Sequence, residues 1–158
     1  MTIQSVLMLC LGNICRSPLA EGALRAAANA RGVTLTIDSA GTGDWHVGRP
    51  PDARAQAEAR RHGIDISRLA ARQIDPDDFH MFDLILAADH SVLADARAIA
   101  PAGGRARVAL MLDMVPGRAG EAIADPYYGG ADGFAQNWAD VSAVAAAVLA
   151  QIADQPNA

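Results

Sequence analysis

Short apolar runs alternate along this chain with longer segments of helical composition. Such alternation is typical of parallel β-strands joined by helical crossovers. Glycines and a Pro-Gly pair stand between the segments, where they mark helix ends and turns. The pattern predicts four strands, at 5–9, 34–38, 83–87 and 107–112, and four helices, at 18–30, at 52–62, directly after Asp89, and at 137–152.

No linker and no internal repeat divides these segments, so we expect a single domain over residues 1–158, with a frayed tail at 154–158. Hydrophobic residues make up 51% of the chain, which is enough material for one buried core. No apolar run approaches the roughly 20 residues that cross a bilayer, and the N-terminus does not resemble a secretory signal. These features predict a cytoplasmic protein.

The net charge and the cysteine content exclude several kinds of partner and of site. The formal net charge is −5, which argues against a nucleic-acid partner and against binding to an anionic membrane. Two cysteines cannot build a disulfide framework, and the four histidines stand in separate contexts without metal-ligand spacing. We therefore predict neither a metal nor a cofactor.

One loop, residues 10–17 with the sequence Cys-Leu-Gly-Asn-Ile-Cys-Arg-Ser, joins the first predicted strand to the first predicted helix. The residues between Cys10 and Arg16 allow the backbone to curl once, so that amide N–H groups and the helix N-terminus converge on an anion. These dipoles and Arg16 favour the thiolate form of Cys10. Arg16 can also bind two oxygens of a tetrahedral dianion. The loop thus predicts a phosphate site that contains a nucleophile.

The remaining loop residues have supporting tasks. Gly12 supplies conformational freedom, Asn13 tolerates the left-handed region, and Ser17 can donate a hydrogen bond to the Cys10 sulfur. The simpler alternative makes Cys10 a small buried apolar residue and Arg16 a surface charge at a helix start. The predicted phosphate-binding set, besides the thiol and the guanidinium, is Leu11, Gly12, Asn13, Ile14, Cys15 and Ser17.

The string from Val6 to Pro18 closely resembles the active-site loop of the low-molecular-weight protein tyrosine phosphatases. With the strand pattern, this resemblance implies an α/β three-layer sandwich, in which helices flank both faces of a four-stranded parallel sheet of order 2-1-3-4. Further matches follow in family order along nearly the whole chain, at 38–42 (Asp-Ser-Ala-Gly-Thr), 48–52 (Gly-Arg-Pro-Pro-Asp), 61–64 (Arg-His-Gly-Ile), 71–74 (Ala-Arg-Gln-Ile) and 125–129 (Asp-Pro-Tyr-Tyr-Gly).

Expulsion of a phenolate or alkoxide from phosphate benefits from an acid that protonates the leaving oxygen. Asp125 lies in the segment similar to the acid loop of the family, and the resemblance implies that it acts as general acid and then as general base. Cys10 would form a phosphocysteine intermediate while Arg16 and the loop amides hold the equatorial oxygens. Taken alone, Asp-Pro more often marks a turn.

Two polar residues are expected at the carboxyl edge of the sheet, beside the loop. Ser39 follows the second predicted strand and Asp89 follows the third. The resemblance assigns Ser39 to support of the loop around Asn13, and it places Asp89 near the guanidinium of Arg16. A turn hydroxyl and a helix N-cap are the simpler alternatives.

Aromatic side chains are expected to form the walls of the cleft. The resemblance implies that Trp45, Tyr127 and Tyr128 flank the phenyl ring of a substrate. Leu11 completes an apolar collar, and stacking of this kind favours phosphotyrosine over short phosphoserine. Alternatively, these aromatic residues pack a loop and close a turn. Ile14 stands where members that resemble arginine phosphatases carry threonine, which favours the tyrosine substrate.

Cys15 has two interpretations. As a second thiol in the loop, it could trap oxidised Cys10 as a disulfide before irreversible acids form. As a small apolar residue, it would merely fill space.

A departure from the family lies before the Ala-Arg-Gln string, where members often carry a histidine that bonds the loop asparagine and residues 67–73 contain none. Three replacements are open. They are His62, a water molecule, and a reliance of Asn13 on Ser17 and Ser39.

The predicted function is hydrolysis of phosphotyrosine in proteins and of small aryl phosphates, with a tyrosine kinase considered among the protein substrates. Arsenate reductases share the loop, but those of this fold need further cysteines and none follows Cys15. A noncatalytic phosphate-binding module has no use for Cys10 and Asp125 together. A dinucleotide-binding site is not expected, because the turn after the first predicted strand lacks the spaced glycines of that motif. The alanine-rich and lysine-poor composition favours a bacterial source.

Overall fold

The computed structural model describes residues 2–155. In this part of the chain, four strands and five α-helices follow one another, with a short 3-10 turn after the last strand. In chain order they are β1 (Ser5–Cys10), α1 (Arg16–Ala30), β2 (Thr36–Gly41), α2 (Ala53–Arg61), α3 (Asp78–Met81), β3 (Leu84–Ala87), α4 (His90–Ile99), β4 (Arg107–Leu110), the 3-10 turn (Met111–Met114) and α5 (Ala131–Ala153).

The strands form one parallel sheet of order β2-β1-β3-β4, which confirms the predicted topology. The central strand β1 is buried over its whole length, as expected for a parallel sheet covered on both faces. Val6 and Met8 face one core, which contains α1 and α5. Leu7 and Leu9 face the other core, which contains α4 and Phe79. Alternation along the strand therefore places helices on both sides.

Helix α5 begins at Ala131, so the predicted start at residue 137 is wrong by six residues. The Gly129-Gly130 pair and Gly133 made this segment resemble a loop in the sequence. Phe134, however, is almost completely buried. Burial of such a side chain contributes about 1.5–3 kcal/mol, which exceeds the cost of about 1 kcal/mol for a glycine inside a helix.

Two strands also begin or end at residues other than those predicted. Strand β2 starts at Thr36, which pairs with Ser5, and runs to Gly41 instead of ending at residue 38. Ser39 consequently lies inside β2 and not after it. Strand β4 ends at Leu110, because the N–H of that residue donates to Asp113 Oδ2 and the chain turns into the 3-10 segment. The short helix α3 was not predicted.

The end of α5 is tied to the start of the chain. The Gln155 side chain accepts a hydrogen bond from the N–H of Ile3 and donates to the Ile3 carbonyl. Of the segment predicted to be frayed, Gln155 makes these two contacts, and 156–158 lie outside the described residues. Over residues 2–155, no helix has the length and apolar character required to span a membrane.

The packing of α1 against the sheet gives a stability prediction. Leu24 is fully buried in the core with α1 and α5, whereas Ile99 on α4 is 42% exposed. Leu24→Ala should lower the free energy of unfolding by about 2–5 kcal/mol, and Ile99→Ala by no more than about 0.5 kcal/mol. Urea denaturation of both variants measures the difference, and equal losses would contradict this assignment of the core.

Candidate active site

Five residues connect β1 to α1, with Cys10 as the last residue of the strand and Arg16 as the first of the helix. Asn13 adopts a φ of 57°, in the left-handed region. Gly41 of β2 passes close behind the loop, since an added Cβ there would meet the Leu11 carbonyl oxygen at 2.8 Å. The loop therefore requires a residue at position 13 that tolerates the left-handed region, and a residue without a side chain at position 41.

The backbone N–H groups of this loop have no partner in the described part of the protein, whereas several of its carbonyls do. Within the described residues, the N–H groups of 11–16 donate to no protein acceptor. The loop carbonyls, in contrast, are held from outside, because Cys10 accepts from Thr42 at 3.0 Å and Ile14 accepts from Asp52 at 2.8 Å. A curled backbone with unpaired N–H groups beside a helix N-terminus is a site for an anion.

A buried chain of hydrogen bonds fixes the loop from behind. Ser17 Oγ lies 2.9 Å from Cys10 Sγ and accepts from Asn13 Nδ2 at 2.8 Å. Asn13 Nδ2 also donates to Ser39 Oγ at 3.0 Å. The N–H of Arg72 donates to Asn13 Oδ1 at 3.0 Å. Every polar group of the Asn13 side chain is thereby used.

Asn13 has protein partners for its whole side chain without the histidine that members of the resembled family often carry. Asn13 relies on Ser17 and Ser39, one of the three predicted possibilities, together with a backbone N–H that was not predicted. His62 lies elsewhere, because its ring stacks on Trp138 at 4.5 Å and its Nε2 lies 2.9 Å from a Glu58 carboxylate oxygen.

Arg16 connects three parts of the site. Its side chain is only 2% exposed, and Nη1 donates to Asp89 Oδ2 at 2.7 Å and to the Ile123 carbonyl at 2.9 Å. Its Nη2 lies 3.8 Å from Asp125 Oδ2. A buried guanidinium held in this way is oriented before any ligand arrives.

Asp89 combines the two predicted alternatives, since it pairs with Arg16 and also caps α4 by accepting from the Val92 N–H at 2.9 Å. Burial by itself would raise the pKa of Asp89. The N–H groups of Val92 and Ser91 and the guanidinium of Arg16 outweigh burial, so this pKa lies below its ordinary value.

Asp125 reaches the cleft from the long connection between β4 and α5, and its side chain is 45% exposed. Its Oδ1 accepts from the Tyr127 N–H at 3.1 Å, which tightens the turn. On the outer side, Arg54 Nη2 donates to the Tyr127 carbonyl at 3.0 Å. The Arg54 guanidinium also lies over the rings of Tyr127 and Phe134, at 5.6 and 4.8 Å from their centres.

One cleft of about 360 Å³ is lined by most of the predicted residues. The rings of Tyr127 and Tyr128 meet edge to face at 5.0 Å. Four predicted residues do not line it: Asp89 pairs with Arg16, and the side chains of Asn13, Ser17 and Ser39 form the hydrogen-bond network that supports the loop. The lining consists of Cys10, Leu11, Gly12, Ile14, Cys15, Arg16, Trp45, His46, Asp125, Tyr127 and Tyr128.

Three side chains of the site were missed by the sequence analysis. His46 packs against Gly12, where an added Cβ would meet the imidazole at 2.8 Å, and its ring lies 6.4 Å from that of Tyr127. Arg54 supports the Tyr127 turn, and Glu21 accepts from the hydroxyl of Ser39. Position beside a predicted loop or helix start was the only available signal, and it is shared with many surface residues.

Cys15 lines the cleft as a buried free thiol, as does Cys10. Burial raises the pKa of Cys15 to about 12, and the charges of Asp52, Cys10 and Asp125 add to this effect. Cys15 is consequently a thiol at neutral pH. Its protective role in oxidation stays a prediction.

Metal-ligating side chains are not clustered in the described part of the chain, since no group of three or more His, Cys, Asp or Glu could hold an ion there. Arg16, the one guanidinium among the described residues that line the cleft, supplies a positive charge that can bind an anion, and Asp125 lies beside it.

Comparison with known proteins gives the family. A family model described as low molecular weight phosphotyrosine protein phosphatase matches residues 5–157. The chain belongs to this family. A phosphatase of that name from Schizosaccharomyces pombe is 44% identical over 82% of this chain and 84% of its own length.

Solved structures agree with this membership of the low molecular weight phosphatases. The crystal structure of YfkJ from Bacillus subtilis has a TM-score of 0.90 and 34% identity, over 99% of both chains. A Drosophila protein described as an arginine phosphatase has a TM-score of 0.88 and 30% identity, over 96% of this chain and 99% of its own.

The lowered pKa of Asp89 predicts how the contribution of this residue to folding stability depends on pH. A carboxylate with a depressed pKa in the folded state adds stability above its unfolded value of about 3.9, and that stability is lost as pH falls through the folded value. Asp89→Asn should therefore be less stable than the unaltered protein at about pH 7, and the difference should shrink below about pH 4. Urea denaturation across this range tests the sign, and a gap that widens in acid would refute it.

Proposed function

We propose that the protein hydrolyses phosphotyrosine in proteins, and small aryl phosphates, through a phosphocysteine intermediate on Cys10. The observation that carries this proposal is the meeting of Cys10, Arg16 and Asp125 around one cleft, beside a loop whose N–H groups donate to no acceptor in the described residues. Membership in the phosphatase family supports it.

In the first step, Cys10 attacks phosphorus and the bond to the tyrosine oxygen breaks. The loop N–H groups and Arg16 bind the equatorial oxygens, whose charge is redistributed in the transition state. Because Asp89 and the Ile123 carbonyl already hold Arg16, little reorganisation accompanies binding. Asp125 donates its proton to the departing phenolate oxygen.

In the second step, water attacks the phosphorus of phosphocysteine and the P–S bond breaks. Asp125, which became a carboxylate in the first step, accepts the proton of this water. The Ser17 hydroxyl, 2.9 Å from the sulfur, donates to the thiolate as it leaves. Inorganic phosphate is released and the resting enzyme is restored.

The walls of the cleft favour an aryl substrate. Trp45 and Tyr128 are exposed and Tyr127 is partly so, which leaves their rings accessible to a phenyl group entering between them. Leu11 adds apolar surface at the rim. Ile14 has no hydroxyl to orient water toward a phosphoramidate, so we expect phosphotyrosine to be preferred over phosphoarginine. Phosphotyrosine-containing proteins, tyrosine kinases among them, are the proposed partners.

The nucleophile is tested by Cys10→Ser. Turnover of an aryl phosphate should be abolished, because serine is a far poorer nucleophile than a thiolate. Binding of inorganic phosphate, measured by calorimetry, should persist, since Arg16 and the loop N–H groups remain. Normal turnover in this variant would overturn the mechanism.

Addition of EDTA to the unaltered protein should not change its rate.

The acid is tested by Asp125→Asn with two leaving groups. For phenyl phosphate, whose phenolate needs a proton, kcat should fall by about 10²–10⁴-fold. For 2,4-dinitrophenyl phosphate, whose phenolate is stable without one, the loss should be much smaller. Asp44→Asn serves as the control, because Asp44 is exposed and does not line the cleft. Equal losses for both substrates would reject Asp125 as the acid.

A further inference from the structure

One buried carboxylate close to the loop is not used by the proposed reaction. Glu21 on α1 is 3% exposed, and its Oε1 accepts from Ser39 Oγ at 2.7 Å. Its Oε2 accepts from Arg25 Nη2 at 2.7 Å, and the same nitrogen donates to the Ile37 carbonyl at 2.8 Å. Glu21 therefore stands at the far end of the hydrogen-bond chain that begins at Cys10.

The direction of this chain is determined at Asn13. A backbone N–H can only donate, so the contact from Arg72 requires that Asn13 Oδ1 faces it. The amide nitrogen of Asn13 must then face Ser17 and Ser39, and its two hydrogens are donated to their hydroxyl oxygens.

Each hydroxyl that accepts from Asn13 needs an acceptor for its own hydrogen. For Ser39, an ionised carboxylate supplies only acceptors, and Glu21 is in position. For Ser17, Cys10 Sγ at 2.9 Å is closer than the carbonyl of Ala40 at 3.4 Å. The hydrogen of Ser17 is thus directed at the sulfur.

We propose that Glu21 is a positioning residue: by accepting from the Ser39 hydroxyl it keeps the Ser39 oxygen available as an acceptor for Asn13, and so it stabilises the arrangement in which the Ser17 hydroxyl donates to the Cys10 sulfur. Glu21 does not touch the sulfur and acts through Ser39 and Asn13. The consequence of this role of Glu21 for turnover rests on the proposed function. The effect of Glu21 on the reactivity of the Cys10 thiol does not. The thiolate gains a donor, and the loop keeps the conformation in which its N–H groups face the anion.

Glu21→Gln tests the direction with almost no change in shape. Arg25 only donates, so the amide oxygen of the new side chain should face Arg25 and the amide nitrogen should face Ser39. The bond to Ser39 is then reversed. The Ser39 hydrogen loses its acceptor and competes with the amide of Asn13, which weakens the support of the loop.

The readout is the alkylation of Cys10 by iodoacetamide, because the thiolate is the reacting form. At about pH 6 the rate in Glu21→Gln should fall roughly threefold to tenfold, and the pH of half-maximal rate should rise. Peptide mapping separates Cys10 from Cys15. The other titratable groups that line the cleft with Cys10 are Cys15, Arg16, His46, Asp125, Tyr127 and Tyr128, and the substitution alters none of them.

A matched control exists on α2. Glu58 is also 3% exposed and is paired with Arg61 at 2.7 Å and His62 at 2.9 Å, but it does not contact the loop network. Glu58→Gln should lower stability without changing the alkylation profile of Cys10. Ser39→Ala should reproduce the effect of Glu21→Gln, and the double variant should be no slower than the slower single variant.

An unchanged alkylation profile in folded Glu21→Gln would overturn the proposal and leave Glu21 a residue of fold stability only. If that variant does not fold, Ser39→Ala decides, since an unchanged profile there has the same meaning. Absence of phosphatase activity in the unaltered protein would reject the proposed function, but the alkylation comparison would still be valid.

Discussion

The left-handed backbone at Asn13 is sustained because each polar group of its side chain has a buried partner. Two hydroxyls and one backbone N–H hold the amide, and Gly41 leaves room for the loop to lie against β2. With the loop fixed in this conformation, its N–H groups, beside the start of α1, have no acceptor among the described residues. The thiol at the end of β1 is placed at the same loop by the sheet. The proposed anion binding and nucleophilic attack thus depend on one local constraint.

Arg16 joins this loop to the segment that carries the proposed acid. Its guanidinium bonds to Asp89 at the start of α4 and to the Ile123 carbonyl, and the Ile123 N–H donates to the Ala88 carbonyl after β3. The chain therefore passes the carboxyl end of the sheet just before Asp125. A displacement of Arg16 would disturb both the phosphate-binding groups and the position of the acid. Burial of this cation has a desolvation cost, which its bonds to Asp89 and the Ile123 carbonyl offset.

Much of this arrangement could be predicted from local patterns. The apolar run of β1, the loop after it and the parallel sheet order all follow from residues that neighbour one another or from the family resemblance. The predicted start of α5 was wrong because the burial of Phe134, a tertiary effect, outweighs the cost of Gly133 inside the helix. Glu21 and His46 were missed for a related reason. Their importance depends on Ser39 and Gly12, which are distant in sequence and become neighbours only when the sheet forms.

The central claim is that the thiol held at the end of β1 carries the phosphoryl group during turnover. Rapid mixing of the protein with an aryl phosphate, acid quenching within one turnover and mass mapping of the peptides test it most directly. A phosphoryl group on Cys10 should form and decay at the rate of turnover. A phosphoryl group on another residue, or turnover with no phosphorylated protein at any time while product is released in a single exponential, would contradict it.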